Sequence, residues 1–380
     1  MLQAVQRLNV QAPVYETSGY ASAARSFVLA LANQAPLPLR LSPLRWNSGA
    51  FANISREDYL RLHTLSQQPF AASDTLLHWS VASEFQGRQG HQQAIGHSIF
   101  ETDRLIQSYV EGCNRMDAIM VPTSFHKESF QASGVQVPIE VIPEGTDTDR
   151  FTPIGPKLST IPDRFTFLCV AQVTYRKGLD LLLSAFLELF QNHDDVQLVL
   201  RCYFKDGSPQ DMAKVAQFVH TLRQENNATG GHILLLENVP DQHLPAMYRS
   251  AHVLVAPFRG EGWGLPLTEA LASEVPVIAT GWGGPMSYLS EDVAHLLPFE
   301  LQPIPDDIPP YFLGQALMSA REEKHLLAEP DLDALKYAMW DAYKNYFLHK
   351  ARASAGRNVL HQHFRWEHAA QHFAHWLQGV

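Results

Sequence analysis

Apolar residues recur along this chain in two textures. One is the short, nearly unbroken run: LNV near the start, TLLHWS (75–80), AIGHSI (94–99), DAIMVP (117–122), IEVI (139–142), FTFLCVAQV (165–173), VQLVLRC (196–202), HILLL (232–236), VLVA (253–256), and the run entered through Pro276. Runs of this length, apolar at consecutive positions, predict strands covered on both faces, as in a parallel sheet. The other texture is a stripe at helical spacing, clearest in Leu179, Leu182, Leu183, Ala185, Phe186 and Phe190. Helices are predicted over about 21–33, after FETDR (100–104), over 124–133, near 210–225, from Leu265-Pro266 onward, over about 312–349, and over about 354–377. In the last, Phe364, Trp366, Ala369, Ala370, Phe373 and Trp376 are the expected buried positions. Strands alternating with helices predict a doubly wound α/β architecture. The stretch 36–68, rich in Pro, Arg and Trp (Arg45, Trp46, Asn47), shows neither pattern, and Pro-rich 153–163 reads as a linker between domains.

A chain of 380 residues holds two such domains comfortably. Hydrophobic content of 46% with 18% charged residues is globular, and no apolar stretch reaches a membrane-spanning length. The net charge of -10 argues against nucleic acid as main partner. Cys113, Cys169 and Cys202 lack metal-ligand spacing and read as buried thiols, and the start MLQAVQRLNVQAP does not read as a secretory signal, so a cytoplasmic protein is expected.

The candidate chemistry is concentrated in VLVAPFRGEGWGLPLTEALASEVPVI (253–278). A strand runs into a loop with Gly262 and Gly264, and a helix opens at Leu265-Pro266. Unpaired N–H groups and the helix dipole make such an end an anion site, on which a phosphate can settle against Trp263, Gly264 and Leu265. Glu261 and Glu269 bracket it, as acceptors for sugar hydroxyls; an acid in a first helical turn also serves the dipole with no ligand at all. Arg176 and Lys177, after the strand FTFLCVAQV, supply cations opposite this loop. Gly19, flanked by Ser18 and Tyr20 between the first strand and helix, opens the backbone to a ligand.

The phrase EGWGLPLTE resembles the E-x7-E motif of retaining glycosyltransferases with the GT-B fold, family 4. A second match runs through DAIMVPTSFHKESFQASGV and IEVIPEGTDTDRFTP, where Thr123-Ser124 and Gly145 to Asp147 fit the family pattern, so the resemblance covers roughly 95–290. It implies two Rossmann-like domains facing across a cleft, with a final helix crossing back to the first. The expected division is an acceptor-binding domain over 1–155, a nucleotide-sugar donor domain over 156–360, and the returning helix in 361–380. It implies donor contacts at Glu269 (ribose), Glu261 (transferred sugar), Ser18, Gly19 and Tyr20, and a backbone grip on the base at Asn238-Val239. Where the family more often has Gly-Arg after the donor-domain strand this chain has Ala171-Gln172, so either Arg176, ranked first, or Arg259 takes the diphosphate. On the acceptor side Glu101 is favoured over Asp103, and His97 is weighed as a core residue. No Asp-x-Asp metal motif stands in a donor-like context, so a metal-independent reaction without cofactor is expected.

The implied activity is transfer of a hexose from a UDP- or GDP-linked sugar to a hydroxyl of a glycan, lipid or small-molecule acceptor, with peripheral membrane contact left open. Alternatives are a GT-B epimerase or phosphorylase, or a non-catalytic nucleotide-sugar-binding or scaffold subunit.

Overall fold

The computed structural model describes residues 5–34, 37–46, 54–205, 207–237 and 239–379. They form two compact units, one of 1–145 with 363–380 and one of 146–362. No helix among the described residues is long and apolar enough to cross a membrane.

The first unit alternates β1 (Leu8–Ala12), α1 (Gly19–Gln34), β2 (Leu39–Pro43), α2 (Arg56–Ser66), β3 (Thr75–Trp79), β4 (Gln93–His97), α3 (Gln107–Asn114), β5 (Ala118–Val121), α4 (Ser124–Ala132) and β6 (Ile139–Val141). Its strands form one parallel sheet in the order β2-β1-β3-β4-β5-β6. Strands β3, β4 and β5 are buried at every position, which is why they appear in the sequence as unbroken runs. The stretch 36–68, left without elements by its pattern, contains β2 and α2. The Ser55 hydroxyl caps α2 by accepting from the Asp58 N–H at 3.0 Å, and Glu57 and Asp58 suit its positive end. Its one buried residue is Leu62, too few to leave a stripe. Asn47 lies outside the described residues.

The second unit runs β7 (Phe165–Gln172), α5 (Leu179–Phe190), β8 (Val196–Tyr203), α6 (Pro209–Glu225), β9 (His232–Leu235), α7 (Leu244–Arg249), β10 (Val253–Ala256), α8 (Leu265–Ala272), β11 (Val277–Thr280) and β12 (His295–Leu297). The sheet order is β12-β11-β10-β7-β8-β9, parallel throughout. An antiparallel ribbon of β13 (Phe299–Pro303) and β14 (Leu326–Pro330) follows, with α9 (Pro310–Leu313) and α10 (Gln315–Glu322) between its strands. Then come α11 (Leu332–Lys344) and α12 (Tyr346–His363). The Pro-rich linker packs here: the Leu158 N–H donates to the Ser250 hydroxyl at 2.7 Å, and just before the linker Phe151 meets Tyr248 edge-on at 5.7 Å.

The tail, expected as one helix over 354–377, is two: α12 ends at His363 and α13 spans Trp366–Leu377. Arg365 between them has extended backbone (φ -93, ψ 154), which breaks the helical ladder. Within the first unit α13 packs on α1, with the Phe373 and Phe27 rings 5.4 Å apart at 78°. Trp366, Ala369, Ala370 and Phe373 are buried, whereas Phe364 and Trp376 are half-buried. Gly145 lies so close to the start of α13 that a Cβ on it would stand 2.3 Å from the Trp366 nitrogen.

Candidate functional site

In the second sheet, β7 and β10 are neighbours although two strands intervene in the chain, so this is where the winding reverses. Ligands of open α/β sheets bind beyond the carboxyl ends of the strands at such a switch. Two loops meet there. After β7 a turn at Tyr175–Lys177 closes on Gly178, whose φ of +68° and position admit no side chain: a Cβ would lie 1.9 Å from the Pro257 carbonyl oxygen. After β10 the chain passes Arg259 to Gly264, and Gly264, at φ +88°, turns it into α8. The loops are laced together. The Arg259 N–H donates to the Arg176 carbonyl at 2.6 Å, and the Arg176 guanidinium donates to the Gly260 carbonyl at 2.6 Å.

The Lys177 ammonium donates directly to Glu261 Oε2, and Arg176 Nη1 lies 3.9 Å from Glu261 Oε1. Burial alone would raise the Glu261 carboxyl; Lys177 first, and then Arg176, more than offset it and hold it below its ordinary value. Glu261 is therefore ionised, and the three side chains form a compact (+,−,+) cluster beside the N-terminus of α8. A small, partly open recess touches Lys177, Glu261, Gly264 and Pro266, with Cys169 to Ala171 of β7 behind them. Gly262 is held against Gly284, leaving no room there for a Cβ on Gly284.

Glu269, one turn into α8, has a different environment. Its Oε2 accepts a 2.6 Å hydrogen bond from the Tyr248 hydroxyl. Burial pushes its pKa up to about 7, against the smaller opposing pull of Tyr248, Arg150 and Arg201. The two acids of the phrase are thus a fixed anion and a carboxyl poised near neutrality. Tyr248, Arg201 and Arg150 were not anticipated. Arg201, the one charged residue in the β8 run, was the available signal.

The structure separates the other expected members. Arg259, the second-ranked choice for the diphosphate, is engaged as an internal strut: its side chain is 3% exposed, grips Asp180 at 2.7 and 2.9 Å, pairs with Glu329, and lies over the Tyr175 ring at 3.9 Å. Trp263 likewise faces inward, buried against Tyr288 at 5.0 Å, so only its backbone is available to a ligand. Leu265 opens α8 half-buried, and Val239 is half-buried beyond β9. Asn238 lies outside the described residues.

In the first unit the reversal lies between β1 and β3, and Ser18, Gly19 and Tyr20 follow β1. The Ser18 hydroxyl accepts from the Ala21 N–H at 3.2 Å, capping α1. Gly19 is exposed, with nothing within 4 Å of where a Cβ would be. The Tyr20 hydroxyl donates toward the Ser80 carbonyl (2.9 Å) and the His97 carbonyl (3.2 Å), tying α1 to the ends of β3 and β4. His97 is fully buried and stacked on Trp79 at 3.5 Å; burial, and then His126, lower its pKa well below the ordinary value, keeping it neutral. Glu101 and Asp103 are both half-buried beyond β4, and Asp103 Oδ2 lies 3.8 Å from Arg104.

Residues 154–299 match the family model described as Glycosyl transferases group 1. A lipopolysaccharide core biosynthesis mannosyltransferase, LpcC, of Rhizobium leguminosarum bv. viciae is 34% identical over 176 residues, 44% of this chain and 46% of that protein. A GDP-mannose-dependent alpha-(1-6)-phosphatidylinositol monomannoside mannosyltransferase of Mycolicibacterium smegmatis is 28% identical over 210 residues, 51% of each. The chain thus spans about half the length of the curated relatives it matches. Among solved structures, sucrose-phosphate synthase from Thermosynechococcus elongatus superposes with a TM-score of 0.67 at 16% identity, covering 98% of both chains. HepE of Anabaena, in complex with UDP and glucose, gives 0.67 at 12% identity over 99% of this chain and 100% of that one. Residues 154–299 therefore match a Glycosyl transferases group 1 domain, in a chain whose two α/β units have the GT-B fold.

Proposed function

We propose that this protein is a retaining glycosyltransferase that moves a hexose from a nucleoside diphosphate sugar to a hydroxyl of a glycan, lipid or small-molecule acceptor. GDP-mannose is the favoured donor, because the named relatives include a GDP-mannose-dependent enzyme and a second mannosyltransferase. The observation that carries the reading is the cluster of Lys177, Arg176 and Glu261 at the N-terminus of α8, one turn before Glu269. A diphosphate on that helix end meets two cations and the backbone N–H groups of the first turn. Glu261 pairs with both cations and accepts hydrogen bonds from the sugar, and ionised Glu269 accepts from the ribose.

The bond that breaks joins the anomeric carbon to the β-phosphate oxygen, and its electron pair leaves with the diphosphate. Lys177 and Arg176 stabilise the charge that develops there, the largest single contribution such a site makes. The acceptor oxygen forms the new bond on the face the diphosphate leaves, and its proton passes to a departing phosphate oxygen. No divalent ion is required in this scheme.

Thermal denaturation with GDP, UDP, ADP, dTDP and their common sugars, in wild type and Lys177→Ala, tests the donor site; acceptor-dependent release of the nucleoside diphosphate tests turnover. A ligand at about 100 times its dissociation constant stabilises by roughly 2.7 kcal/mol. A shift with GDP and GDP-mannose that Lys177→Ala cuts from about 2.7 to roughly 0.4–1.4 kcal/mol is expected. No shift with any nucleotide would overturn the reading.

A further inference from the structure

The second unit holds a cluster of ligating side chains away from the loops described above. His295 opens β12, Asp341 lies near the end of α11, and His349 sits in the first turn of α12. One atom from each, an imidazole nitrogen or a carboxylate oxygen, lies within 4.8 Å of the other two. His349 Nε2 is 2.8 Å from Asp341 Oδ2, and the two imidazoles are parallel, 10° apart in plane with centroids 5.8 Å apart. The pair of Asp341 and His349 explains itself as a hydrogen-bonded pair, but His295 does not. Its Nδ1 is buried without a hydrogen-bond partner, and stacked rings give each other no hydrogen bond.

We propose that His295, Asp341 and His349 form a two-histidine, one-carboxylate site for a transition-metal cation, Zn²⁺ being the best fit. Three nitrogen and oxygen ligands plus water complete the tetrahedron Zn²⁺ favours, with bonds of about 2.0–2.2 Å and hence edges of about 3.3 Å. The 2.8 Å edge is already short enough, and rotation of the imidazoles closes the rest. The carboxylate is pre-oriented: Asn345 Nδ2 donates to Asp341 Oδ1 at 2.7 Å, the outer support that ligating carboxylates have. The Asp341 side chain is 26% exposed against 3% for His349, so water reaches the fourth position from the aspartate side. Two imidazole nitrogens in the set favour zinc, copper or nickel over the hard cations that oxygen ligands select. The ion would tie β12 to the corner between α11 and α12.

The test uses the whole chain, stripped with chelator and titrated calorimetrically with Zn²⁺, with Co²⁺ as spectroscopic probe. One tight equivalent and the ligand-field absorption of tetrahedral Co²⁺ are expected. His295→Gln and Asp341→Asn weaken binding by more than about 100-fold, and Asn345→Ala by about 10 to 100-fold. His349→Ala also breaks the hydrogen bond to Asp341, so the conservative His295→Gln, shown folded by circular dichroism, carries the comparison. Absence of binding at micromolar Zn²⁺ would overturn the proposal, as would undiminished affinity in His295→Gln, which would assign the metal to others of the 18 histidines. Neither outcome bears on the donor site.

Discussion

Replacing Glu269 by Gln removes a proton equilibrium while keeping an oxygen for the Tyr248 hydroxyl. In the wild type the carboxyl titrates near 7 instead of the ordinary 4.5. The folded state therefore holds a proton that the unfolded chain releases, and stability falls as pH rises between those values. The neutral form's contribution is complete below about 4.5 and lost on passing 7. A difference of about 2.5 at 1.36 kcal/mol per unit gives about 3 kcal/mol, and partial exposure of the side chain lowers this to about 2. Denaturant unfolding of both proteins at pH 5, 6, 7 and 8 measures it: wild type minus Glu269→Gln should decline by about 2 kcal/mol across the series. The same proton competes with a sugar hydroxyl for the carboxylate, so donor affinity should strengthen as pH rises through 7 in wild type and stay flat in the variant. A wild-type-minus-variant difference independent of pH would refute the assignment of this carboxyl as near-neutral in pKa.

Lys177→Ala removes a charge-assisted hydrogen bond to the proposed diphosphate worth about 1.5–3 kcal/mol, so calorimetry should show donor affinity reduced about 10 to 100-fold. Arg259→Met leaves Asp180 and Glu329 facing each other without their cation and should destabilise by about 3 kcal/mol, read as a lower denaturant midpoint. Gly264→Ala forces a side chain into the left-handed region, with its Cβ 2.8 Å from Leu267 Cδ1, and should cost at least about 1 kcal/mol while weakening the donor more than Lys177→Arg does. Phe373→Ala empties the contact with Phe27 and should cost about 3–5 kcal/mol in thermal or denaturant unfolding.

What the sequence disclosed follows from burial. Strands β3, β4, β7, β8 and β10 are covered on both faces, so hydrophobicity alone marks them. The ribbon of β13 and β14 escaped because β13 is almost wholly exposed, and α2 because one of its residues is buried. The break between α12 and α13 carries neither Gly nor Pro, only a local change of backbone angle at Arg365. At the candidate site, the glycines, Glu261 and Lys177 are legible because turn geometry and charge are local properties. The partners are not local: Tyr248 reaches Glu269 from α7, and Arg259 is claimed by Asp180 and Glu329 from two distant elements. The grouping of His295 with Asp341 and His349 is invisible for the same reason.

The first unit is assembled from two pieces of chain, 1–145 and 363–380, with the entire second unit intervening. Synthesis proceeds from the amino terminus, so the apolar face of α1 around Phe27 emerges more than three hundred residues before Phe373 arrives to cover it. At about 5–20 residues per second, that interval lasts tens of seconds. The second unit, continuous in sequence, has all its own contacts once residue 362 has emerged. Order of assembly is therefore built into the connectivity: the second unit has all its own contacts before α13 arrives to complete the first.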